Sequence, residues 1–293
     1  MFRHVEALVA HGYDAVVRIP ISAPVPEWFQ HHAPVERMTG RPGVDDILVL
    51  PEDDGELLAA CSRLPNRKVI FCQNPYAAAL RGVLAVREAV RAAYPVMMAC
   101  SDGVGDWVRR FVGPERVVTV PGFADERLFV PAPKLPLIAC MPRKRRIEGA
   151  AIRNMFARLY DGPTAWRWDL VDGRTEAEAA VALGRASVFL SLARLEGMSM
   201  TIVEAMACGC LVAGFTGIGP REYAGPQNGF WVEEDDCEAA AHALVRATRL
   251  AEAGGPAAEA MRAAARDTAA RWSHAASVEA LLRFWRDEMG VTA

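Results

Sequence analysis

The sequence predicts an α/β protein with parallel sheets, arranged in two halves. Short apolar runs rich in Val, Ile and Phe alternate with longer segments of helical character along most of the chain. This alternation is typical of a parallel sheet covered by helices on both faces. The chain has 293 residues, 52% hydrophobic and 24% charged, which is enough for two soluble globular domains of ordinary size.

Ten strands are expected, five in each half. The first half has candidate strands at residues 15–19, 46–50, 68–72, 96–100 and 117–120, and the second at 137–140, 168–171, 187–190, 211–214 and 230–232. Residues 2–17 have helical character, whereas a doubly wound domain usually opens with a strand and a Gly-rich turn. Neither feature is recognisable at the start of this sequence.

Proline content predicts the boundary between the halves. Residues 121–136 contain four prolines and little periodicity, which is typical of a linker. We therefore expect an N-terminal domain at 1–130 and a second domain at 131–275. Residues 276–293 should form a C-terminal helix whose apolar face, which includes Leu281, Phe284 and Trp285, packs back toward the first domain.

Charge and cysteine usage exclude several classes of function. The net charge of −3 gives no global basic field for nucleic acid, and association with a membrane is not indicated. No apolar run reaches the length of about 18 residues needed for a membrane span, and no signal peptide is recognisable, so a cytoplasmic location is expected. The seven cysteines lack paired C-x-x-C spacing and are expected to be free thiols, mostly buried, not metal ligands.

The segment EGMSMTIVEAMACGC, residues 196–210, is the most informative part of the chain. Glu196 and Glu204 lie eight positions apart on either side of a predicted helix start. A helix start binds phosphate and nearby carboxylates accept hydrogen bonds from hydroxyls, so the segment fits a sugar joined to a phosphate. Two alternatives remain open: Thr201 and Glu204 also have the spacing of a capping box, and Glu196 could be a solvated loop carboxylate.

Polar residues also follow two predicted strands. Arg143 and Lys144 come just after the strand at 137–140, where they are well placed to bind a diphosphate, whereas Arg145 and Arg146 should point outward on the next helix. A basic run can equally be a solvated face. Gln73 and Asn74 follow the strand at 68–72 and could bind a hydroxyl of the acceptor or sugar, although an ordinary Asn-Pro turn is favoured.

Residues 196–210 resemble the E-x7-E segment of the retaining glycosyltransferases of family 4, the group 1 glycosyltransferases. Residues 175–197, 214–223 and 117–129 resemble the segments that flank it in those enzymes. The resemblance implies a GT-B fold, in which two Rossmann-like, doubly wound domains face across a cleft. The first domain would here lack its opening strand and Gly-rich loop.

The resemblance also implies roles for individual residues. Glu196 would contact hydroxyls of the transferred sugar, and Glu204 would hold the ribose. Arg143 and Lys144 would bind the diphosphate. Backbone groups near the helix start would complete the donor site: Gly197, Met198, Ser199, Met200 and Thr201. The family usually separates the Arg and the Lys by several residues, whereas here they are adjacent behind Pro142.

The expected function is transfer of a hexose-type sugar, with retention of configuration, from a nucleoside diphosphate to a hydroxyl. The acceptor could be a glycan, a lipid-linked molecule or a small molecule. No D-x-D sequence occurs in the chain, and the resemblance implies that neither a metal ion nor another cofactor is needed. The alternatives are another GT-B enzyme, such as a sugar-nucleotide epimerase or a phosphorylase, and a non-catalytic partner subunit.

Overall fold

The computed structural model describes residues 1–293 as two compact units. One unit comprises residues 1–122 together with 275–293, and the other comprises residues 123–274. The sequence placed the first boundary at residue 130 and the second at residue 275. The last segment of the chain, residues 275–293, is part of the first unit.

The first unit contains a four-stranded parallel sheet in the order β3-β4-β5-β6 and a separate parallel pair, β1-β2. Asp54, Asn74 and Ser101 accept backbone N–H groups at the starts of α2, α3 and α5, so side chains cap these helices. The elements are α1 (Phe2–Ala10), β1 (Val17–Ile19), β2 (Val35–Arg37), β3 (Leu48–Pro51), α2 (Gly55–Cys61), β4 (Lys68–Cys72), α3 (Pro75–Arg81), α4 (Glu88–Arg91), β5 (Val96–Ala99), α5 (Asp102–Phe111) and β6 (Arg116–Thr119).

The second unit contains a five-stranded parallel sheet in the order β11-β10-β9-β7-β8. Its elements are β7 (Leu135–Cys140), α6 (Arg146–Leu159), β8 (Arg167–Leu170), α7 (Glu176–Arg185), β9 (Ala186–Leu192), α8 (Met200–Ala207), β10 (Leu211–Phe215), β11 (Phe230–Val232), α9 (Cys237–Ala253) and α10 (Gly255–Ala270); α11 (His274–Arg283) follows, with one π-helical turn at Phe284–Glu288. Apolar residues of β7, β9 and β10 pack against α6 and α9 in the core.

All ten predicted strands are present, with ends that shift by at most two residues. Lys68–Cys72 and Phe230–Val232 match the prediction residue for residue. The short strand β2 was missed, because its sequence, Val-Glu-Arg, is partly exposed and carries no apolar run. No helix is long and apolar enough to cross a lipid bilayer. The seven cysteines are all free thiols, five of them buried.

Strand order in the second unit determines where a ligand can bind. The chain runs from β7 to β8 on one side and then returns across β7 to β9 on the other. This reversal is a topological switch point, and ligands of open parallel sheets bind outside the carboxyl ends of the strands at such a point. The segments that follow β7 and β9 therefore lie where a ligand is expected.

Candidate functional site

The loops after β7 and β9 are joined by a pair of predicted site residues. The Nζ of Lys144 lies 3.4 Å from Oε1 of Glu196. The lysine side chain is 64% exposed and the glutamate side chain 28% exposed, so a ligand can reach both. Arg143 is also exposed and forms no ion pair. An ammonium, a guanidinium and a carboxylate thus stand at the switch point of the sheet.

Arg145 is not on the outer face of α6, contrary to the sequence prediction. It is the N-cap residue of that helix and is only 7% exposed, because its side chain turns inward to Asp235 and Phe215 ahead of the first helical turn. Its guanidinium pairs with Glu148 at 2.8 Å and with Asp235, and it lies 5.2 Å from the ring centroid of Phe215. These contacts fix the turn that carries Lys144.

Arg146, in contrast, is exposed as predicted. It pairs with Asp172, which follows β8. Asp235 meets a second cation as well, since Arg194 of the loop after β9 lies 3.4 Å from its other carboxylate oxygen. Asp235 therefore connects the turn after β7 to the loop that carries Glu196.

Helix α8 begins at Met200 without a side-chain cap. Its N-cap residue, Ser199, has φ 61° and ψ 80°, and its buried hydroxyl has no hydrogen-bond partner. The capping box, which the sequence left open as an alternative, is not formed, because Thr201 lies inside the first turn of the helix and not at its N-cap. The amides at the helix start are therefore left unsatisfied by side chains, which suits them to bind an anion.

Residues after β10 shape this helix start. A Cβ added at Gly219 would lie 2.2 Å from the carbonyl oxygen of Gly197, so only glycine allows the two loops to meet. The hydroxyl of Tyr223 donates to the carbonyl oxygen of Met198 at 2.9 Å. Sequence reasoning did not single out Gly219 or Tyr223. The only signal was the pair of glycines in Gly-Ile-Gly-Pro, residues 217–220, which favour a close backbone approach.

Glu204 lies on the second turn of α8 and is partly buried. Its carboxyl group has no hydrogen-bond or ion-pair partner. Burial raises its pKa to about 8, and the negative charge of Glu176 adds to the effect. A carboxyl group with this pKa is mostly protonated at neutral pH. It can therefore donate a hydrogen bond to one hydroxyl of a ligand and accept a hydrogen bond from a neighbouring hydroxyl.

The predicted acceptor-side residues lie in the first unit, at the carboxyl end of β4. The Asn74 side chain caps α3 by accepting the amides of Tyr76 and Ala77, whereas Gln73 is exposed. The backbone amides of Gln73 and Asn74 both donate to the carboxylate of Glu52, at 3.0 and 2.7 Å. Glu52 is buried, and burial raises its pKa. Sequence analysis missed Glu52 because several acidic residues follow β3 and nothing in the sequence distinguishes Glu52 from the others.

Residues 169–249 match the family model described as "Glycosyl transferases group 1". Over these residues the chain is similar to the group 1 glycosyltransferases. The match covers β8 to α9, including Glu196, the uncapped helix start and Glu204. It confirms the group 1 assignment that the resemblance of residues 196–210 predicted.

One curated relative and two solved structures extend the comparison. An α-1,6-glucosyltransferase from Actinobacillus pleuropneumoniae serotype 7 (strain AP76) is 32% identical over 102 residues, which is 34% of this chain and 31% of that protein. The chain thus aligns with less than a third of this curated relative.

Sucrose-phosphate synthase from Thermosynechococcus elongatus superimposes with a TM-score of 0.76 at 15% identity, covering 99% of this chain and 92% of that chain. HepE from Anabaena, solved with UDP and glucose, gives a TM-score of 0.56 at 14% identity, covering 89% and 87%. At these identities the likeness concerns the fold, and it confirms the predicted GT-B class.

Proposed function

We propose that the protein is a glycosyltransferase that moves a sugar from a nucleoside diphosphate to a hydroxyl acceptor. The observation that carries the proposal is the Lys144–Glu196 pair at 3.4 Å, beside the uncapped start of α8. A sugar diphosphate would meet a carboxylate that accepts from sugar hydroxyls and, next to it, a cation and free amides that bind phosphate.

The proposed chemistry follows from where charge develops. In the transfer, the bond between the sugar and the diphosphate breaks and a bond between the sugar and the acceptor oxygen forms. The hydroxyl proton of the acceptor is released to solvent, and the diphosphate leaves with additional negative charge. Arg143, Lys144 and the start of α8 would stabilise that charge through fixed positive groups, without transferring a proton. Retention of anomeric configuration and independence from metal ions are part of this proposal, and both rest on the resemblance to family 4.

The nucleotide would be held by Glu204. Its unpartnered carboxyl group lies about one helical turn from the phosphate-binding end of α8, a spacing suited to a ribose attached to the diphosphate. The UDP and glucose in the HepE structure and the glucosyltransferase name of the curated relative make UDP-glucose the first donor to test. The acceptor class stays open among glycans, lipid-linked molecules and small molecules, and we propose that the reaction occurs in the cytoplasm.

The first test is calorimetric titration of UDP-, GDP-, ADP- and TDP-sugars without added metal. We expect one nucleotide class to bind the wild type and to bind Glu204→Ala markedly more weakly. Glu178→Ala is the matched control, because Glu178 is an exposed helix-capping carboxylate of α7 in the same unit. If no sugar nucleotide binds the wild type at millimolar concentration, the proposal is wrong.

A second pair of variants tests the diphosphate contact. Lys144→Met should weaken binding of the diphosphate, whereas Arg146→Met, which removes an adjacent exposed cation paired with Asp172, should not. The anomeric configuration of the product, read by NMR with EDTA present, tests retention and metal independence together. An epimerase would convert the donor without an acceptor, and a phosphorylase would require inorganic phosphate.

A further inference from the structure

Tyr223 is a buried phenol that the proposed chemistry does not use. It follows the 3₁₀ turn Gly219–Glu222, is 5% exposed, and packs edge-on against Trp272 with ring centroids 5.0 Å apart. Its hydroxyl donates to the carbonyl oxygen of Met198 at 2.9 Å and lies 3.4 Å from that of Ser199. It therefore contacts the backbone immediately before α8.

The backbone of Tyr223 is itself held in place. Asn228 is fully buried, and its side-chain amide donates to the Tyr223 carbonyl oxygen at 2.8 Å and to the Thr268 hydroxyl at 3.0 Å. Thr268 belongs to α10. The tyrosine is thus fixed between the helix α10 and the start of α8.

The residue next to this contact has a strained backbone. Ser199 and Asp235 are the two non-glycine residues with positive φ in the chain. A left-handed conformation is unfavourable for a serine, so surrounding contacts must stabilise it. The Tyr223 hydroxyl supplies such a contact, and the free energy of one neutral hydrogen bond is comparable to the cost of the strain.

We propose that Tyr223 is a positioning residue of the donor site, which acts by holding Ser199 in the left-handed conformation. In that conformation the chain enters α8 with its first amides and the unpartnered Ser199 hydroxyl free to meet a diphosphate. Without the phenol hydroxyl, Ser199 relaxes and the helix start loses its fit to the phosphates. This inference rests on the proposed function, since it assigns the diphosphate to that helix start.

The phenol acts as a hydrogen-bond donor and not as an acid. Burial raises the pKa of Tyr223 well above its usual value, and the negative charges of Glu196 and Glu222 add to the effect. The hydroxyl therefore keeps its proton throughout the physiological range. Its contribution to ligand binding should not change between pH 6 and pH 9.

The test is Tyr223→Phe, which removes one hydroxyl and keeps the ring against Trp272. Binding of UDP and of uridine is measured by calorimetry, and exchange of the Ile202 amide, which donates to the Ser199 carbonyl oxygen at 3.2 Å, is measured in the ligand-free protein. We expect UDP to bind about three- to tenfold more weakly, uridine to bind unchanged, and the Ile202 amide to exchange faster.

A cycle with Ser199→Gly separates positioning from general stability. Glycine adopts a positive φ without strain, so Tyr223→Phe should have little further effect on UDP affinity in the Ser199→Gly background. Tyr94→Phe is the control for loss of a buried phenol hydroxyl, because Tyr94 donates to the Leu58 carbonyl oxygen in the first unit. It should leave UDP affinity as it is.

Three outcomes would overturn the proposal. These are an unchanged UDP affinity in Tyr223→Phe, an equal loss for UDP and uridine, and the same loss with serine or glycine at position 199. If the wild type binds none of UDP, GDP, ADP and TDP, the donor assignment is wrong and the donor role of Tyr223 with it; if another of them binds in place of UDP, that nucleotide and its nucleoside replace UDP and uridine in the test. The exchange rate of the Ile202 amide then still decides whether Tyr223 holds the turn.

Discussion

Glu204→Gln should stabilise the protein at alkaline pH and leave it unchanged in acid. The folded protein holds the Glu204 proton until its pKa of about 8, whereas the unfolded chain releases it near the usual value of 4.5. Between these values the unfolded state gives up its proton first, so the wild type loses stability as the pH rises from 4.5 to 8. Glutamine stays neutral at every pH and should show no such loss.

The size of the effect follows from the same two pKa values. At about 1.4 kcal/mol per pKa unit, ionising Glu204 inside the fold costs up to about 5 kcal/mol. Water still reaches the partly buried side chain, so we expect about 2 kcal/mol. For a chain of 293 residues that corresponds to a Tm about 3 °C higher for Glu204→Gln than for the wild type above pH 8.

The assay is differential scanning calorimetry of the wild type and the variants from about pH 3 to pH 9. Glu178→Gln is the control of opposite sign, because hydrogen bonds from Thr175 lower the pKa of Glu178. That variant should be less stable than the wild type at neutral pH, and the difference should close as the pH falls below 4.5. A Tm difference for Glu204→Gln that is equal at pH 5 and pH 9 would refute the reasoning.

Three further predictions concern the loops around the site. Gly219→Ala should lower the free energy of unfolding, measured in urea, by at least about 2 kcal/mol, because its Cβ would lie 2.2 Å from a backbone carbonyl oxygen. Gly173→Ala is the comparison: Gly173 has φ 68° and no atom within 4 Å of an added Cβ, so we expect a loss of about 1 kcal/mol from backbone strain alone. Thr201→Ala should cost less than about 0.5 kcal/mol because Thr201 caps nothing, while Thr175→Ala, which breaks the capping box of α7, should cost about 1 kcal/mol by thermal unfolding. Asp235→Ala should cost about 2 kcal/mol by urea unfolding, because it removes the carboxylate that pairs with a buried arginine; a cost below 0.5 kcal/mol would contradict that role.

Sequence patterns predicted the sheets well because a buried parallel strand needs a short run of apolar residues, and such a run is visible in the sequence. The inner strands β4, β5, β9 and β10 are buried along nearly their whole length, and runs such as residues 68–72 need no tertiary information to be recognised. Site residues on the E-x7-E segment could be proposed from the sequence because their spacing is local, and their roles stay predictions. The alternative of a capping box is not formed: Thr201 and Glu204 have the right spacing, but the helix begins one residue before Thr201. Local spacing cannot say where a helix starts when the preceding loop is held by tertiary contacts.

Arg145 shows that local sequence spacing also fails to predict which charged side chains are buried. Four adjacent basic residues look alike in sequence, and helical periodicity predicts which of them face outward only for residues inside the helix. Arg145 is at the N-cap, so its direction is decided by Asp235 in the loop after β11 and by Phe215 at the end of β10. The buried cation of the run is thus the one that structure alone identifies.

Both non-glycine residues with positive φ lie on loops at the carboxyl edge of the second sheet, and each is stabilised from a different element. Ser199 is next to the carbonyl that Tyr223 contacts, and Asp235 is held by Arg145. Strained backbone at two such places is retained only where surrounding contacts outweigh its cost. Those contacts also join the loops that carry Lys144 and Glu196. The same hydrogen bond and ion pair therefore maintain the strained backbone and fix the positions of the site residues. Relieving the strain at Ser199 with glycine should therefore change ligand affinity more than it changes the stability of the fold.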